Sequence, residues 1–207
     1  MSSDSYRAML LFGAPGSGKG TQGKLLTALP GFAHVATGDI FRSLDPSSES
    51  GRIFHEYSDR GELVPDDFTL RLWREHMEQL IERGDYRPAD QLLCLDGIPR
   101  NLRQAEALDQ YIEPVAIIHL AALDTDAMVE RMLRRARKEG RDDDADEAVI
   151  RNRFEVYRNE THPMLEHYGE HLITQIDPMG TPAEVLCAIL KVIAPLQARM
   201  FGNVLAK

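Results

Sequence analysis

The chain has 207 residues, 43% of them hydrophobic, and a formal net charge of −9. That length suits one domain carrying small inserted lobes, with enough apolar material for a packed core. The acidic balance argues against wrapping nucleic acid or an anionic membrane as a global function, and no apolar run approaches the roughly 20 residues of a membrane span. The two cysteines, Cys94 in "QLLCLDG" and Cys187 in "VLCAIL", form no CxxC pair. Their apolar surroundings predict two buried, reduced thiols and a reducing compartment. "MSSDSYR" lacks a signal-peptide core, so the expectation is a soluble, cytoplasmic protein.

In chain order, short apolar runs alternate with longer helical patterns. Strands are predicted at Ala8–Phe12, Phe32–Ala36, Leu92–Leu95, Val115–Leu120 and Leu172–Ile176. Helices are predicted at Gly18–Ala28, Asp66–Arg83, Asn101–Gln110, Thr125–Lys138, Glu147–Tyr168 and Pro182–Met200. Pro65 and Pro182 stand at helix starts, where a missing N–H does no harm. The alternation implies an α/β fold, with a parallel sheet covered on both faces. Two stretches fall outside it: Thr37 to about Trp73, with the turn-like "DPSSESG", and the charged "RARKEGRDDDADEA" from Arg135 to Ala148. Both are candidates for mobile lobes on the sheet core.

The first strand runs into "GAPGSGKGTQ". A glycine loop between strand and helix is built to cradle phosphates. The backbone N–H groups of Gly16, Ser17, Gly18, Lys19, Gly20 and Thr21 can surround a polyphosphate, and the helix N-terminus adds its dipole. Lys19 can bridge the outer phosphates as a point charge. The usual loop places Ser or Thr directly after the lysine; here Gly20 intervenes and the hydroxyl arrives at Thr21. Loop and strand alone do not choose between kinase, switch and motor.

Four further patterns follow. "LLCLDGIPR" delivers Asp96 at the end of an apolar strand, toward the phosphate loop. Asp96 is suited to Mg2+ through water, because Mg2+ keeps most of its hydration shell; a turn carboxylate or helix cap is the plainer alternative. "ATGDIFR" and "GELVPDD" lie within the first irregular stretch. Finally, Arg131, Arg134, Arg135, Arg137, Arg141, Arg151 and Arg153 concentrate positive charge in an acidic chain. A solvated helix with ion pairs such as Glu130–Arg134 accounts for Arg134, Arg137 and Arg151.

Taken together, these motifs resemble the nucleoside monophosphate kinases, most closely the adenylate kinases, over about residues 8–190. Lys-Gly-Thr is that family's form of the loop. The resemblance implies a three-layer αβα P-loop fold around a five-stranded parallel sheet. It implies a single kinase domain over 1–207: a core of 1–36, 74–134 and 149–207, a monophosphate-binding lobe at 37–73 and a short lid at 135–148. It implies ATP contacts from Gly16 to Thr21, Arg131, Arg135 and Gly180. AMP contacts fall to Thr37, Arg42, Glu62, Leu63, Val64, Gly97, Ile98, Pro99, Arg100, Gln104, Arg141 and Arg153, with Gln104 reading the adenine. Lys19, Arg100, Arg135, Arg141 and Arg153 would be catalytic, with Mg2+ as cofactor at Asp96.

Two departures stand out. Ile98 replaces a Phe, keeping an apolar contact. The span from Arg141 to Arg153 is one position longer than the family's, which is assigned to an insertion within Ala145–Ala148. Arg153 then stays in phase, while Arg151 would point roughly 200° away on the helix.

The implied reaction is transfer from ATP to AMP giving two ADP. The implied partners are small-molecule nucleotides (ATP, AMP, ADP), with no nucleic acid, no membrane and a monomeric state. A pyrimidine (UMP/CMP) monophosphate kinase and a non-catalytic nucleotide-binding protein remain alternatives. A GTPase switch lacks its Asn-Lys-x-Asp. His167 and His171 in "HYGEH", with Gly169 between them and no third ligand nearby, do not read as a metal site. The tail "APLQARMFGNVLAK" (194–207) is not explained by the motifs.

Overall fold

The computed structural model describes residues 5–121, 124–139 and 146–206. Five strands, β1 (Tyr6–Gly13), β2 (Phe32–Ala36), β3 (Leu92–Asp96), β4 (Ile112–Leu120) and β5 (Ile173–Ile176), form one sheet in the order β2-β3-β1-β4-β5. All four pairings are parallel. β1 therefore sits in the middle: the chain first fills the sheet on one side of it (β2, β3) and then on the other (β4, β5). That reversal opens a crevice beyond the C-terminal end of β1, the usual ligand position in such sheets.

Both faces of the sheet are buried, which is why its strands read as continuous apolar runs. On β1, Ala8, Leu10 and Phe12 join one core and Met9 and Leu11 the other, as the two-residue period of a strand requires. The first face is covered by α2 (Thr37–Arg42), α4 (Asp66–Glu82) and α5 (Leu102–Leu108), whose Phe41, Trp73, Met77 and Leu108 are buried there. The second is covered by α1 (Lys19–Thr27) and α8 (Pro182–Phe201), through Leu26, Val185, Ile189 and Ile193. A third, smaller cluster of Met128, Met132, Ile150 and Phe154 joins α6 (Thr125–Glu139) to α7 (Glu147–Val156) beside the phosphate loop.

Three expectations need correction. The single helix over Glu147–Tyr168 is broken. α7 ends at Val156, a π-type turn covers Tyr157–Thr161, and a short 3-10 turn covers Pro163–His167. Pro163 has no N–H to donate and its ring crowds the preceding turn; ahead of it the His162 N–H bonds the Tyr157 carbonyl, one residue further back than in an α-helix. Strand β4 begins at Ile112, not Val115. A proline inside a strand argues against it, but the β1–β4 register slips between Ala8 and Met9, and the bulge accommodates Pro114. Of the two cysteines only Cys94 is buried; Cys187 is exposed. The buried stripe of α8 runs through Val185, Ile189 and Ile193, and Cys187 lies about 200° round the helix from Val185.

The irregular segment after β2 carries α2, then α3 (Glu49–Ser58), then α4. Phe41 of α2 stacks on Phe54 of α3 at 5.3 Å and on Phe68 of α4 at 6.3 Å. These rings make the segment's own core continuous with that of the sheet.

Gly51, inside α3, shows how tightly the segment is folded. A Cβ there would run into the backbone carbonyl of Asp45. That carbonyl also accepts from the N–H and hydroxyl of Ser48, the N-cap of α3. Helix preference alone favours Ala over Gly by about 1 kcal/mol. Gly51→Ala is nevertheless expected to destabilise the protein by about 1–3 kcal/mol, the usual range for overpacking, and to lower Tm by about 2–4 °C per kcal/mol. A thermal melt with unchanged or raised Tm would contradict the packing described.

Candidate active site

The C-terminal ends of the strands assemble the site. β1 delivers Gly13 into the glycine loop, β2 delivers Thr37, and β3 delivers Asp96. Register places Asp96 opposite Leu11 on one side and Ala36 on the other. Gly16 and Gly18 adopt φ of 79° and 93°, a left-handed backbone that glycine alone takes without strain. Gly18 is the N-cap of α1, and no side chain caps that helix. The start of α1 is thereby left to an anion. Within the loop the Ser17 hydroxyl is buried without a hydrogen-bond partner, while Thr21 is exposed.

Lys19 opens α1 and folds back across the loop, its Nζ donating to the carbonyls of Gly13 (2.7 Å) and Ala14 (3.2 Å). Its ammonium is pushed down to about 8, first by desolvation and then by the charges of Arg100, Arg153 and Arg135, against the opposing pull of Asp96. One lysine thus senses three arginines contributed by the β3–α5 turn, α7 and α6. Arg141 lies outside the described residues. Arg153 lines the pocket. Arg151 instead turns outward, bonding Glu147 at 2.9 Å and Asp126 at 3.0 Å. Ile150 and Phe154, packed against α6, fix that phase.

The main pocket opens from the loop toward α2–α4. Lys19, Arg42, Arg100 and Arg153 face it, as do Glu62, Leu63 and Val64 from the segment before α4, and Gly97, Pro99 and Gln104 from the other wall. Glu62 is held by Arg60, 2.8 Å away, which keeps its carboxyl below the ordinary range. Arg42 bonds Asp39 at 2.6 Å. Two expected contacts lie back from the pocket. Ile98 is buried in the core beneath it. Thr37 is also buried, and its hydroxyl donates to the Gly97 carbonyl at 2.8 Å, tying β2 to the β3–α5 turn.

The expected ATP side lies on the other flank of the loop. Arg131 passes over Gly18, whose added Cβ would lie 3.9 Å from its Nη2, and reaches the Pro178 carbonyl at 3.4 Å. That brings Arg131 beside the turn bearing Gly180. Asp96, 8% exposed, looks across at Gly20, where a Cβ would lie 3.6 Å from Oδ2. His34 Nε2 is 3.8 Å from the same oxygen. Among the described residues no group of three or more His, Cys, Asp or Glu forms a metal cage. A single carboxylate beside an open loop suits a cation that keeps its water, as Mg2+ does.

Several further residues shape the pocket. Phe41 and Phe54 form an aromatic wall. Thr161 bonds the Arg100 carbonyl at 2.7 Å, and the Tyr157 hydroxyl lies 2.9 Å from His119 Nε2. Burial raises the Tyr157 phenol to about 12 and, with His162 and Lys19 nearby, lowers the His119 imidazole. The Tyr157–Thr161 π-type turn is the device that aims both residues, and only the odd placement of Pro163 hinted at it. His167 bonds Asp109 at 3.0 Å, and neither residue lines the pocket.

Comparison with known proteins agrees with this geometry. The adenylate kinase family model matches residues 11–173. The adenylate kinase of Thermus thermophilus is 38% identical over 192 residues, covering 90% of this chain and 96% of the relative. That of Flavobacterium psychrophilum is 35% identical, covering 89% and 97%, and that of Nocardia farcinica is 39% identical, covering 86% and 93%. With the parallel sheet, the glycine loop and the relatives all in accord, the chain belongs to the adenylate kinase family, enzymes of phosphoryl transfer between nucleotides.

Proposed function

We propose that the protein transfers the γ-phosphoryl group of ATP to the phosphate of AMP, giving two ADP. The observation that carries this reading is that Lys19, Arg42, Arg100 and Arg153 line one pocket together with Gln104 at the end of the glycine loop. A group of cations at the end of a glycine loop suits a polyanionic ligand. The glycine loop and Lys19 would hold the donor phosphates, with Arg131 and Gly180 beside the donor base. Arg42 and Arg100 would grip the acceptor phosphate, with Leu63, Val64 and Gln104 around the acceptor base. Arg141 completes the arginine set in this reading. Asp96 is the residue that would hold Mg2+, which supplies charge neutralisation on the donor phosphates when bound.

The acceptor phosphate is already ionised, so no general base is required. Catalysis reduces to alignment and charge stabilisation. Water in such a site would waste ATP by hydrolysis, so closure over both nucleotides is needed. The segment 37–73 and the stretch 135–148 are the parts assigned to that closure.

Three outcomes test the reading. Offered ATP–Mg2+ with AMP, CMP, UMP or GMP separately, the protein is expected to form diphosphate fastest with AMP. A preference for UMP or CMP would move it to the pyrimidine kinases, and no transfer would make it a binding protein. Arg153→Ala is expected to lower kcat by roughly 10³-fold or more, the scale for one transition-state arginine, while Arg151→Ala stays within a few-fold. The reverse ranking would overturn the assignment of Arg153.

The third concerns Lys19. Its lowered pKa in the free protein means that a bound polyphosphate, which favours the charged ammonium, raises it. Metal-free ADP should therefore bind with proton uptake above pH 8, and its affinity should fall as pH rises, by up to about 10-fold per unit. Calorimetry in buffers of different ionisation heat reads this directly. A flat affinity from pH 7.5 to 9.5 would show that Lys19 does not meet the phosphates.

A further inference from the structure

Gln104 stands between two cavities. It lines the main pocket, while Asp66 and Asn101 line a second groove on its other side. We infer that Asp66 sets the base specificity of the acceptor site by holding the Gln104 amide in one orientation. This rests on the reading that Gln104 meets the acceptor base. Asp66 is a positioning residue: it acts through Gln104.

A glutamine amide has two N–H donors and two carbonyl lone pairs. Here one of each is taken by the protein. The Arg100 backbone N–H donates to Gln104 Oε1 at 2.8 Å, and Gln104 Nε2 donates to Asp66 Oδ1 at 2.8 Å. Turning the amide over would set its NH2 against the Arg100 N–H and its oxygen against the Asp66 carboxylate. The side chain is 1% exposed, so water cannot relieve either clash.

The carboxylate is itself fixed. Asp66 Oδ1 also accepts from Asn101 Nδ2 at 2.8 Å, and Asn101 Oδ1 accepts from the Gln104 backbone N–H at 2.9 Å. That second bond decides which end of Asn101 is oxygen and so directs its NH2 at Asp66. Arg103 stands 3.7 Å from the other carboxylate oxygen. Each member of the ring permits one orientation of the next.

What remains of the Gln104 amide is one N–H and one lone pair. In the pose in which this pair meets adenine, its N–H faces the ring nitrogen and its lone pair the amino hydrogen, an arrangement cytosine also offers. The pair opposes a keto oxygen beside a ring N–H, the edge of hypoxanthine, guanine and uracil. A freely turning amide would serve both edges; a held one discriminates. Pocket size then separates purine from pyrimidine.

The test compares AMP with IMP, which are alike in size and opposite at this edge. Their Kd values are measured by calorimetry on the full chain without ATP, for wild type, Asp66→Ala, Asp66→Ser and Asp66→Asn. Wild type is expected to favour AMP by about 100-fold or more, within the roughly 10⁴–10⁵ that a site built around hydrogen bonds can reach. Asp66→Ala and Asp66→Ser should lower that ratio by about 10-fold or more, chiefly through better IMP binding. Asp66→Asn keeps an acceptor oxygen and should hold the ratio within about three-fold. ATP affinity should not change in any variant, which a folding defect would not allow, and Ser fits the first turn of α4 if Ala does not. A wild-type ratio near one would overturn Gln104 as base reader. A high wild-type ratio retained in Asp66→Ala or Asp66→Ser would overturn the role of Asp66 alone and leave Gln104 standing.

Discussion

Positive charge held against positive charge is the constraint on which this molecule turns. Arg100, Arg135 and Arg153 act on Lys19 at the end of β1, and Asp96 pulls the other way. Left alone, such a group destabilises the fold that holds it, since desolvated like charges repel strongly. The architecture supplies the restraint. Lys19 is tied by two carbonyls of its own loop, the Arg100 carbonyl by Thr161, and Arg153 by the packing of Ile150 and Phe154 on α6. The protein's own contacts thereby hold these groups in place, as electrostatic catalysis requires.

The same strand ends hold a second, neutral device. In the proposed reading, base recognition depends on an amide whose orientation is set by partners from the β3–α5 turn and from α4. Asn101 serves twice, as the N-cap of α5 and as a donor to Asp66. A helix cap and a specificity element thereby share one side chain. Charge grips the phosphates of any nucleotide, whereas the held amide can tell one base from another.

The strands, the glycine loop and the helix after it were legible in the sequence, because a buried parallel strand must be apolar and a left-handed loop must be rich in glycine. Asp96 at the end of "LLCLD" was legible for the same reason. The arginines were visible as a local excess of charge, and helical phase separated Arg151 from Arg153. The bulge at Pro114 was not legible, since it is a property of two strands. Nor was the break after Val156: the amphipathic pattern continues through Pro163, and only the hydrogen bonds show where the α-register fails. Cys187 was misread as buried because apolar neighbours in sequence do not say which face of α8 meets the sheet.

The sequence by itself determined the kind of fold and the kind of chemistry. Residue periods fix which segments are buried on one face or two, and a phosphate cradle needs its glycines and lysine adjacent in the chain. The tertiary structure decided the rest. It chose Arg153 for the pocket through the packing of α7, placed Ile98 in the core and Thr37 on a backbone carbonyl, and joined Asp66 to Gln104. Those two residues stand 38 positions apart, and their bond exists only because β3 and α5 bring the β3–α5 turn against the start of α4. Local pattern can specify what a segment is; which side chains meet depends on how the segments pack.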